Sequence, residues 1–133
     1  MNAVFVDTSA LLALLNAADR YHARAASAFR SLRIRQDSLL STSYVLVETY
    51  ALAAHRFGLD AVQSFRADFA PLMDIVWVDE ALHNAGLDLL AEKRKRTLSL
   101  ADAVSFVTMR QRDIAAAFSF DSQFEQEGFS IIA

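Results

Sequence analysis

Short apolar runs recur along this chain, separated by longer stretches in which apolar residues repeat every three or four positions. The short runs predict five strands, at residues 3–6, 39–41, 75–78, 114–119 and 129–132. The longer stretches predict helices from about residue 8, over 21–35, from 42 or 43 to about 57, over 60–69, over 81–92 and from 99 to about 112, with a helical turn at 121–126. Strands that alternate with helices are typical of a parallel sheet covered by helices, although the pattern does not fix the strand order.

Several helix ends carry residues with a local reason for standing there. Thr42 or Ser43 can cap the third helix, and Gly58 can end it in a conformation that other residues rarely adopt. Pro71 closes the fourth helix, because proline lacks the backbone N–H that a helix needs. Asp79 stands where the fifth helix begins, and we interpret it as a helix cap.

The length and composition predict one globular domain over residues 1–133. At this size roughly two-thirds of the unfolded surface can be buried, and a hydrophobic content of 54% argues against disorder. The absence of cysteine excludes a disulfide framework and a thiolate metal site, and it fits a reducing cytoplasm. Neither a signal peptide nor an apolar run of about 20 residues is evident, so we expect a cytoplasmic protein that does not enter a membrane.

The net charge of -3 narrows the function classes. A protein that only coats nucleic acid is usually basic overall, so the acidic total argues against a simple binder. It leaves room for an enzyme in which a local basic rim surrounds an acidic site.

Four of the 16 acidic residues differ from the others in their surroundings. Asp7 ends the first strand, which is otherwise apolar, and Asp121 follows the fourth strand. Glu48 lies on a largely apolar helix face, and Asp102 stands in the apolar first turn of the sixth helix. Burying an unpaired carboxylate is expensive, so each of these side chains should have a partner.

A structural role is the competing interpretation of each acid. Asp7 and Asp121 stand at helix starts, where aspartate is a favoured cap, and Ser99 with Asp102 is close to a capping box. Glu48 could pair with an arginine. Topology favours a functional role, because functional residues gather at the carboxyl ends of parallel strands.

Carboxylates that converge need protons or a cation, since two unit charges about 4 Å apart repel by roughly 4 kcal/mol at an effective dielectric of about 20. Oxygen ligands without cysteine select a hard cation, Mg²⁺ or Mn²⁺. The histidines have no metal-ligand spacing, and we interpret them as surface or packing residues: His22, His55 and His83. The sequence therefore predicts a metal site formed by four acids: Asp7, Glu48, Asp102 and Asp121.

The motifs around these acids resemble those of PIN-domain ribonucleases. They are Val4-Phe-Val-Asp-Thr-Ser-Ala-Leu-Leu-Ala-Leu, Val47-Glu-Thr, Leu98-Ser-Leu-Ala-Asp-Ala-Val-Ser-Phe, and Phe118-Ser-Phe-Asp-Ser-Gln-Phe followed by Gly128-Phe129. The motifs occur in the family's order and span nearly the whole chain. The compact size is similar to that of the VapC-type toxins of bacterial and archaeal toxin–antitoxin pairs.

The resemblance implies a PIN-like three-layer α/β/α fold with a central parallel sheet of about five strands. It also implies an Mg²⁺- or Mn²⁺-dependent endoribonuclease, in which the four acids are both catalytic residues and ligands of one or two ions that activate water. Ser9 and Ser119 would support the acids through hydroxyl hydrogen bonds. Many relatives have a further acid just before Leu98, where this chain has Lys95, Arg96 and Thr97, so we expect no fifth ligand.

The resemblance further implies an RNA substrate, a cognate antitoxin whose segment would insert near the acids, and a homodimer. A basic run next to the third motif is a candidate RNA contact, formed by Lys93, Arg94, Lys95 and Arg96. The alternative for this run is a solvated helix end, which the helix dipole favours.

Two other function classes stay open. A receiver-like or Asp-nucleophile phosphotransfer module is also an α/β domain with acids at strand ends. A receiver would have an acidic pair after its first strand, and an Asp-nucleophile enzyme would have a second aspartate where this chain has Ser9. The remaining alternative is a PIN scaffold without catalysis, against which the presence of all four acids argues.

Overall fold

The computed structural model describes residues 2–133, so Met1 of the predicted 1–133 domain lies outside it. Within that range five strands form one sheet: β1 (Ala3–Val6), β2 (Ser38–Thr42), β3 (Asp74–Val76), β4 (Ala116–Phe118) and β5 (Ser130–Ile132). The same range contains seven α-helices: α1 (Thr8–Leu15), α2 (His22–Ile34), α3 (Ser43–Phe57), α4 (Leu59–Ser64), α5 (Glu80–Lys93), α6 (Leu100–Gln111) and α7 (Gln123–Gln126).

The strands of the sheet all pair in parallel, in the order β3-β2-β1-β4-β5. β1 is the central strand, and its residues Val4, Phe5 and Val6 are at most 2% exposed. A strand that is apolar on both faces suits this position, because helices cover a parallel sheet from both sides. The central place of β1 puts its carboxyl end, and with it Asp7, in the middle of one edge of the molecule.

Helices cover both faces of the sheet. Successive residues of a strand point to opposite faces. Phe5 of β1 contacts Phe124 of α7, with ring centroids 6.3 Å apart, whereas Phe118 of β4 contacts Phe29 of α2 at 6.5 Å. Because Phe118 pairs with Val6 and not with Phe5, the two contacts lie on opposite faces. The predicted three-layer α/β/α fold with a five-stranded parallel sheet is confirmed. No helix in residues 2–133 is long and apolar enough to cross a membrane.

The predicted helix caps are in place. Thr42 Oγ1 accepts a hydrogen bond from the Val45 N–H at 3.2 Å, and Gly58 ends α3 with a φ of 91°. Asp79 caps α5, since its side chain accepts a hydrogen bond from the Leu82 N–H at 2.9 Å. Local hydrogen bonding therefore sets these boundaries, as the sequence indicated.

The predicted helix over 60–69 is wrong in its second half. The α-helical part, α4, ends at Ser64, and a π-helical turn (Phe65–Phe69) and a 3₁₀ turn (Ala70–Leu72) follow. The Ala70 N–H bonds to the Phe65 carbonyl five residues back. Pro71 lies in the 3₁₀ turn, where its missing N–H is tolerated, so the helical segment ends at Leu72, one residue after the proline.

The strands β3, β4 and β5 and the last helix are shorter than predicted. β3 ends at Val76, because Val76 pairs with Thr42, the last residue of β2, and nothing further is available for pairing. Trp77 is therefore 74% exposed, and the Val78 N–H instead donates to Ser43 Oγ at 2.9 Å. β4 covers 116–118 and α7 covers 123–126, so residues 119–122 form a loop at the carboxyl end of β4.

Gly86 of α5 offers a test of the packing of this helix on α6. A methyl group at this position would lie 2.5 Å from Val104 Cγ2 and 3.2 Å from Leu100 Cδ1. We expect Gly86→Ala to lower the free energy of unfolding by about 1–2 kcal/mol, because overpacking costs more than the roughly 1 kcal/mol that alanine gains in helix propensity. Urea unfolding measures this difference.

The matched control for this prediction is the same substitution in a Val104→Ala background. There the space that the new methyl group needs is free, so Gly86→Ala should cost less than in the wild-type background. Equal costs in both backgrounds would contradict the close contact between Gly86 and Val104.

Candidate active site

The four predicted acids line one cavity of about 340 Å³ at the carboxyl ends of β1 and β4. Asp7 follows β1, Glu48 lies in α3, Asp102 in the first turn of α6, and Asp121 in the loop after β4. The complete lining in the described part of the chain is Asp7, Thr8, Ser9, Leu12, Glu48, Leu52, Ser99, Asp102 and Asp121. This lining includes no basic side chain, so no lysine or arginine neutralises the acids from the cavity wall.

Asp7 is held by two serine hydroxyls that bond to the same carboxylate oxygen. Ser9 Oγ donates to Asp7 Oδ2 at 2.7 Å, and Ser119 Oγ donates to it at 3.0 Å. The Ser9 N–H reaches the same oxygen at 3.3 Å, so Asp7 is also the cap of α1. Among residues 2–133, no hydrogen bond is made to Asp7 Oδ1. One oxygen therefore fixes the side chain, and the other is left for a ligand in the cavity.

The same serines position the loop that carries Asp121. The Phe120 N–H donates to Ser9 Oγ at 2.9 Å, and the Asp121 N–H donates to Ser119 Oγ at 3.0 Å. Asp121 Oδ1 in turn accepts a hydrogen bond from the Gln123 N–H at 3.0 Å. Each serine thus accepts from the loop backbone and donates to Asp7, which joins the ends of β1 and β4 into one hydrogen-bonded unit.

Asp102 and Glu48 enter the cavity from two helices. Ser99 and Asp102 form the complete capping box of α6, with Asp102 Oδ2 accepting from the Ser99 N–H at 3.1 Å. The α1–α3 contact lies beside Glu48, where Thr49, the chain neighbour of Glu48, shares a buried hydroxyl hydrogen bond of 3.1 Å with Thr8. Asp102 therefore both caps α6 and lines the cavity.

The cavity raises the pKa values of three of its acids. Burial raises the pKa of Asp7 to about 6; hydrogen bonds from Ser9 and Ser119 oppose this, and repulsion from Asp102 adds to it. Burial likewise raises the pKa of Glu48, with repulsion from Asp102 and Asp121 in the same direction. Burial and the charge of Asp121 raise the pKa of Asp102. Each acid thus experiences the charge of another across the cavity.

The chemistry of this donor set fits a hard cation. All available charged ligands are carboxylates, and no histidine or cysteine lines the described cavity. Within residues 2–133, no three acidic or histidine side chains are close enough together to enclose an ion by themselves. A cation that keeps several of its own water molecules suits such an arrangement, since Mg²⁺ usually binds through one or two carboxylates and water.

The basic run at residues 93–96 lies outside the lining of this cavity. Lys93 Nζ forms an ion pair with Glu127 Oε2 at 3.2 Å, and Lys95 Nζ donates to Gln126 Oε1 at 3.2 Å. Both lysines therefore tie the end of α5 to α7. An RNA contact by this run stays a prediction.

Sequence reasoning did not single out Thr8 and Leu52 as cavity residues, although both line it. Thr8 follows Asp7 directly and was visible as one of two hydroxyl residues after the first strand. Its bonding partner Thr49 is 41 positions away, so no local pattern indicated the pair. Leu52 is one helical turn beyond Glu48 and gives the cavity an apolar side.

The fold and the cavity together define a class of protein: a parallel α/β domain with a cavity lined by four carboxylates at the carboxyl ends of its strands. Comparison with known proteins places the chain more closely. The family described as "PIN domain" matches residues 4–129. The chain is 32% identical over 127 residues to the 23S rRNA-specific endonuclease VapC20 of Mycobacterium tuberculosis, covering 95% of each sequence.

Solved structures agree with this comparison. The crystal structure of Mycobacterium tuberculosis VapC20, described as a Sarcin-Ricin loop cleaving toxin, matches with a TM-score of 0.83 and 30% identity over 95% of each chain. FitAcB from Neisseria gonorrhoeae matches with a TM-score of 0.70 and 15% identity, over 98% of this chain and 96% of that one. The FitAcB likeness shows the fold alone.

This chain belongs to the PIN-domain family. It is a homologue of a VapC-type ribonuclease toxin, and the sequence-based prediction of a PIN-domain endonuclease of this type is confirmed. Nucleases of this family generally use a divalent metal.

The raised pKa of Asp7 predicts a specific pH dependence of stability in metal-free buffer. Between about pH 4 and pH 6, Asp7 is ionised in the unfolded chain but still mostly protonated in the folded protein. The contribution of Asp7 to the free energy of unfolding therefore falls as the pH rises through this window. Asp7→Asn removes this loss and should be more stable than wild type above about pH 6, by up to roughly 3 kcal/mol. Urea unfolding of both proteins in EDTA across this range measures the difference.

The two proteins should be nearly equal in stability below about pH 3, where Asp7 is largely protonated in both the folded and unfolded states. A stability difference that is constant with pH would contradict the shifted ionisation of Asp7.

Proposed function

We propose that this protein is a divalent-metal-dependent endoribonuclease that hydrolyses RNA phosphodiester bonds, and that it is the toxin of a toxin–antitoxin pair. The observation that carries the proposal is the convergence of four carboxylates from four separate elements on one cavity without a basic residue in its lining. The VapC20 relative, whose name describes an endonuclease of 23S rRNA, supports RNA as the substrate.

In this proposal Asp7 and Asp102 hold the cation directly, because each has one carboxylate oxygen fixed by a hydrogen bond and a second oxygen left over. Mg²⁺ is the preferred ion and Mn²⁺ a substitute, since both accept carboxylate and water oxygens. When bound, a cation of this kind supplies Lewis-acid stabilisation of phosphate charge and lowers the pKa of bound water.

Glu48 and Asp121 accept hydrogen bonds from the attacking water and orient it towards the phosphorus. The raised pKa of Glu48 suits this task, because a more basic carboxylate accepts a proton more readily. The water oxygen forms the new bond to phosphorus and gives a proton to Glu48, the bond to the leaving ribose oxygen breaks, and that oxygen takes up a proton from solvent. Ser9 and Ser119 keep Asp7 in place throughout and do not react.

We propose ribosomal RNA as the first substrate to test, with the Sarcin-Ricin loop that is named for the relative as the first candidate target. The identity of 32% supports a shared activity more strongly than a shared target sequence. Action on RNA of this kind would place the protein in the cytoplasm.

A cognate antitoxin and a homodimer complete the proposal. A groove of about 450 Å³ beside α2 is lined by Leu14, Phe29 and Phe69 among others, which suits an apolar antitoxin segment. Membership of the PIN family does not support the receiver-like or Asp-nucleophile alternative, and RNA cleavage would exclude a PIN scaffold without catalysis.

The variant Asp7→Asn tests the catalytic role of this carboxylate. It removes one charge at nearly constant shape, so cleavage of RNA in Mg²⁺ should fall on the order of 10²- to 10³-fold, and EDTA should abolish the wild-type activity. A single-turnover assay on labelled RNA gives the rate.

Asp79→Asn is the matched control for this assay. Asp79 also caps a helix, but it does not line the cavity, and asparagine caps nearly as well. This variant should cleave at the wild-type rate. If Asp7→Asn also does so, the proposed site is wrong.

The basic run is tested by its effect on salt dependence. Arg94 and Arg96 can be neutralised without breaking the ion pair of Lys93 with Glu127. If this run contacts phosphates, Arg94→Gln/Arg96→Gln should reduce the slope of log affinity against log salt by roughly 1 in the inactive Asp7→Asn background. The control is Arg56→Gln/Arg66→Gln, which removes two other exposed arginines, and an unchanged slope would assign the run to helix packing.

A further inference from the structure

A second, smaller cavity shares the loop 119–122 with the acidic cavity. Its volume is about 150 Å³, and its lining includes Ser119, Phe120, Ser122 and Glu125, together with Tyr21 and Arg24 from the start of α2. Asp121 faces the acidic cavity, whereas its two chain neighbours, Phe120 and Ser122, line the smaller one. Consecutive Cα atoms are about 3.8 Å apart, so the two cavities are close neighbours.

Two aromatic rings form a stack at this smaller cavity. The rings of Tyr21 and Phe120 lie nearly parallel, at 8°, with their centroids 4.6 Å apart. Both side chains are only partly buried, whereas Phe118 and Phe124 nearby are fully buried. Both rings pack against the core on one side, and part of their surface stays open at this cavity.

Two arginines surround the stack. The guanidinium of Arg20 lies 4.6 Å from the centre of the Tyr21 ring, and that of Arg24 lies 5.5 Å from the centres of both rings. Within residues 2–133, neither arginine forms an ion pair with a carboxylate. Their positive charge is therefore available to an anion, close to the neighbouring cavity that the four acids line.

We propose that the smaller cavity is a nucleobase subsite, which takes the unpaired base next to the phosphodiester that is cleaved. The base stacks on the Tyr21–Phe120 pair, and Arg24 binds a flanking phosphate. Glu125 supplies a carboxylate that can accept a hydrogen bond from a base amino group. This inference rests on the proposed RNA cleavage, since it needs a phosphodiester in the acidic cavity.

The combination of groups favours single-stranded RNA over an acidic peptide. An acidic peptide would satisfy the arginines alone. In a nucleotide, a flat base and a phosphate are joined through one sugar. The base can stack on the aromatic pair while the phosphate reaches the arginines at its edge. The stack is also connected to the acidic cavity, because the Phe120 N–H donates a hydrogen bond to Ser9, the residue that holds Asp7.

The test compares two labelled oligomers of about eight residues, oligoadenylate and an abasic ribose–phosphate chain of equal charge, in the inactive Asp7→Asn background. The affinity ratio between them measures the contribution of the bases. We expect a ratio of about ten or more, which Tyr21→Ala should lower roughly tenfold and Tyr21→Phe should leave unchanged. Arg24→Gln should weaken both oligomers, and the control Arg66→Gln should weaken neither.

A purely structural stack gives a different result. Tyr21→Ala would then weaken both oligomers equally and leave their ratio unchanged, which overturns the inference. Binding of an oligoglutamate with the same dependence on Tyr21 would also overturn it in favour of a protein-docking surface. Photocrosslinking with a 4-thiouridine oligomer needs no Tyr21 variant: crosslinks should fall on peptides with Tyr21 or Phe120, and crosslinks only elsewhere would refute the subsite.

These outcomes are distinct from failure of the proposed function. If the wild-type protein cleaves RNA with Mg²⁺ while the base contribution is independent of Tyr21, only the subsite is wrong. If no RNA is cleaved under any metal condition, the function itself is wrong.

Discussion

The placement of four carboxylates around one cavity, with Asp7 buried and the other three partly buried, is the constraint on which the rest of this structure depends. Burial and the neighbouring charges raise the pKa values of Asp7, Glu48 and Asp102, so folding places these acids where they are unfavourable. The protein offsets part of that cost locally, with serine hydroxyls on Asp7 and a capping box on Asp102. What remains is a negative potential directed into one cavity, which the divalent cation of the proposed function would relieve.

The hydroxyl network explains how separate elements keep a common geometry. Ser9 belongs to α1 and Ser119 follows β4, yet both donate to one oxygen of Asp7 and accept from the backbone around Asp121. A shift of the loop would break these bonds together. Residues that look like simple helix caps therefore also set the site, so the structural and functional interpretations of Asp7 and Asp102 are compatible.

Charge is segregated within this acidic protein. The acids that face the cavity come from the end of β1, from α3 and α6 and from the β4–α7 loop, whereas residues 20–36 contain five arginines and no acid. Arg20 and Arg24 at the start of this segment lie over the aromatic pair next to the site. An anionic chain can then approach an acidic cavity, because the adjacent surface compensates the repulsion. The overall charge of -3 hides this arrangement.

The sequence by itself determined the element types, most of the caps and the identity of the four acids, because these follow from local periodicity and from carboxylates set among apolar neighbours. It did not determine the strand order or the early end of β3 at Val76, since each depends on a partner distant in the chain. The Thr8–Thr49 bond and the Tyr21–Phe120 stack are likewise contacts between remote segments. Tertiary structure alone brings such groups together, because parallel strands place the ends of distant segments at one edge of the sheet.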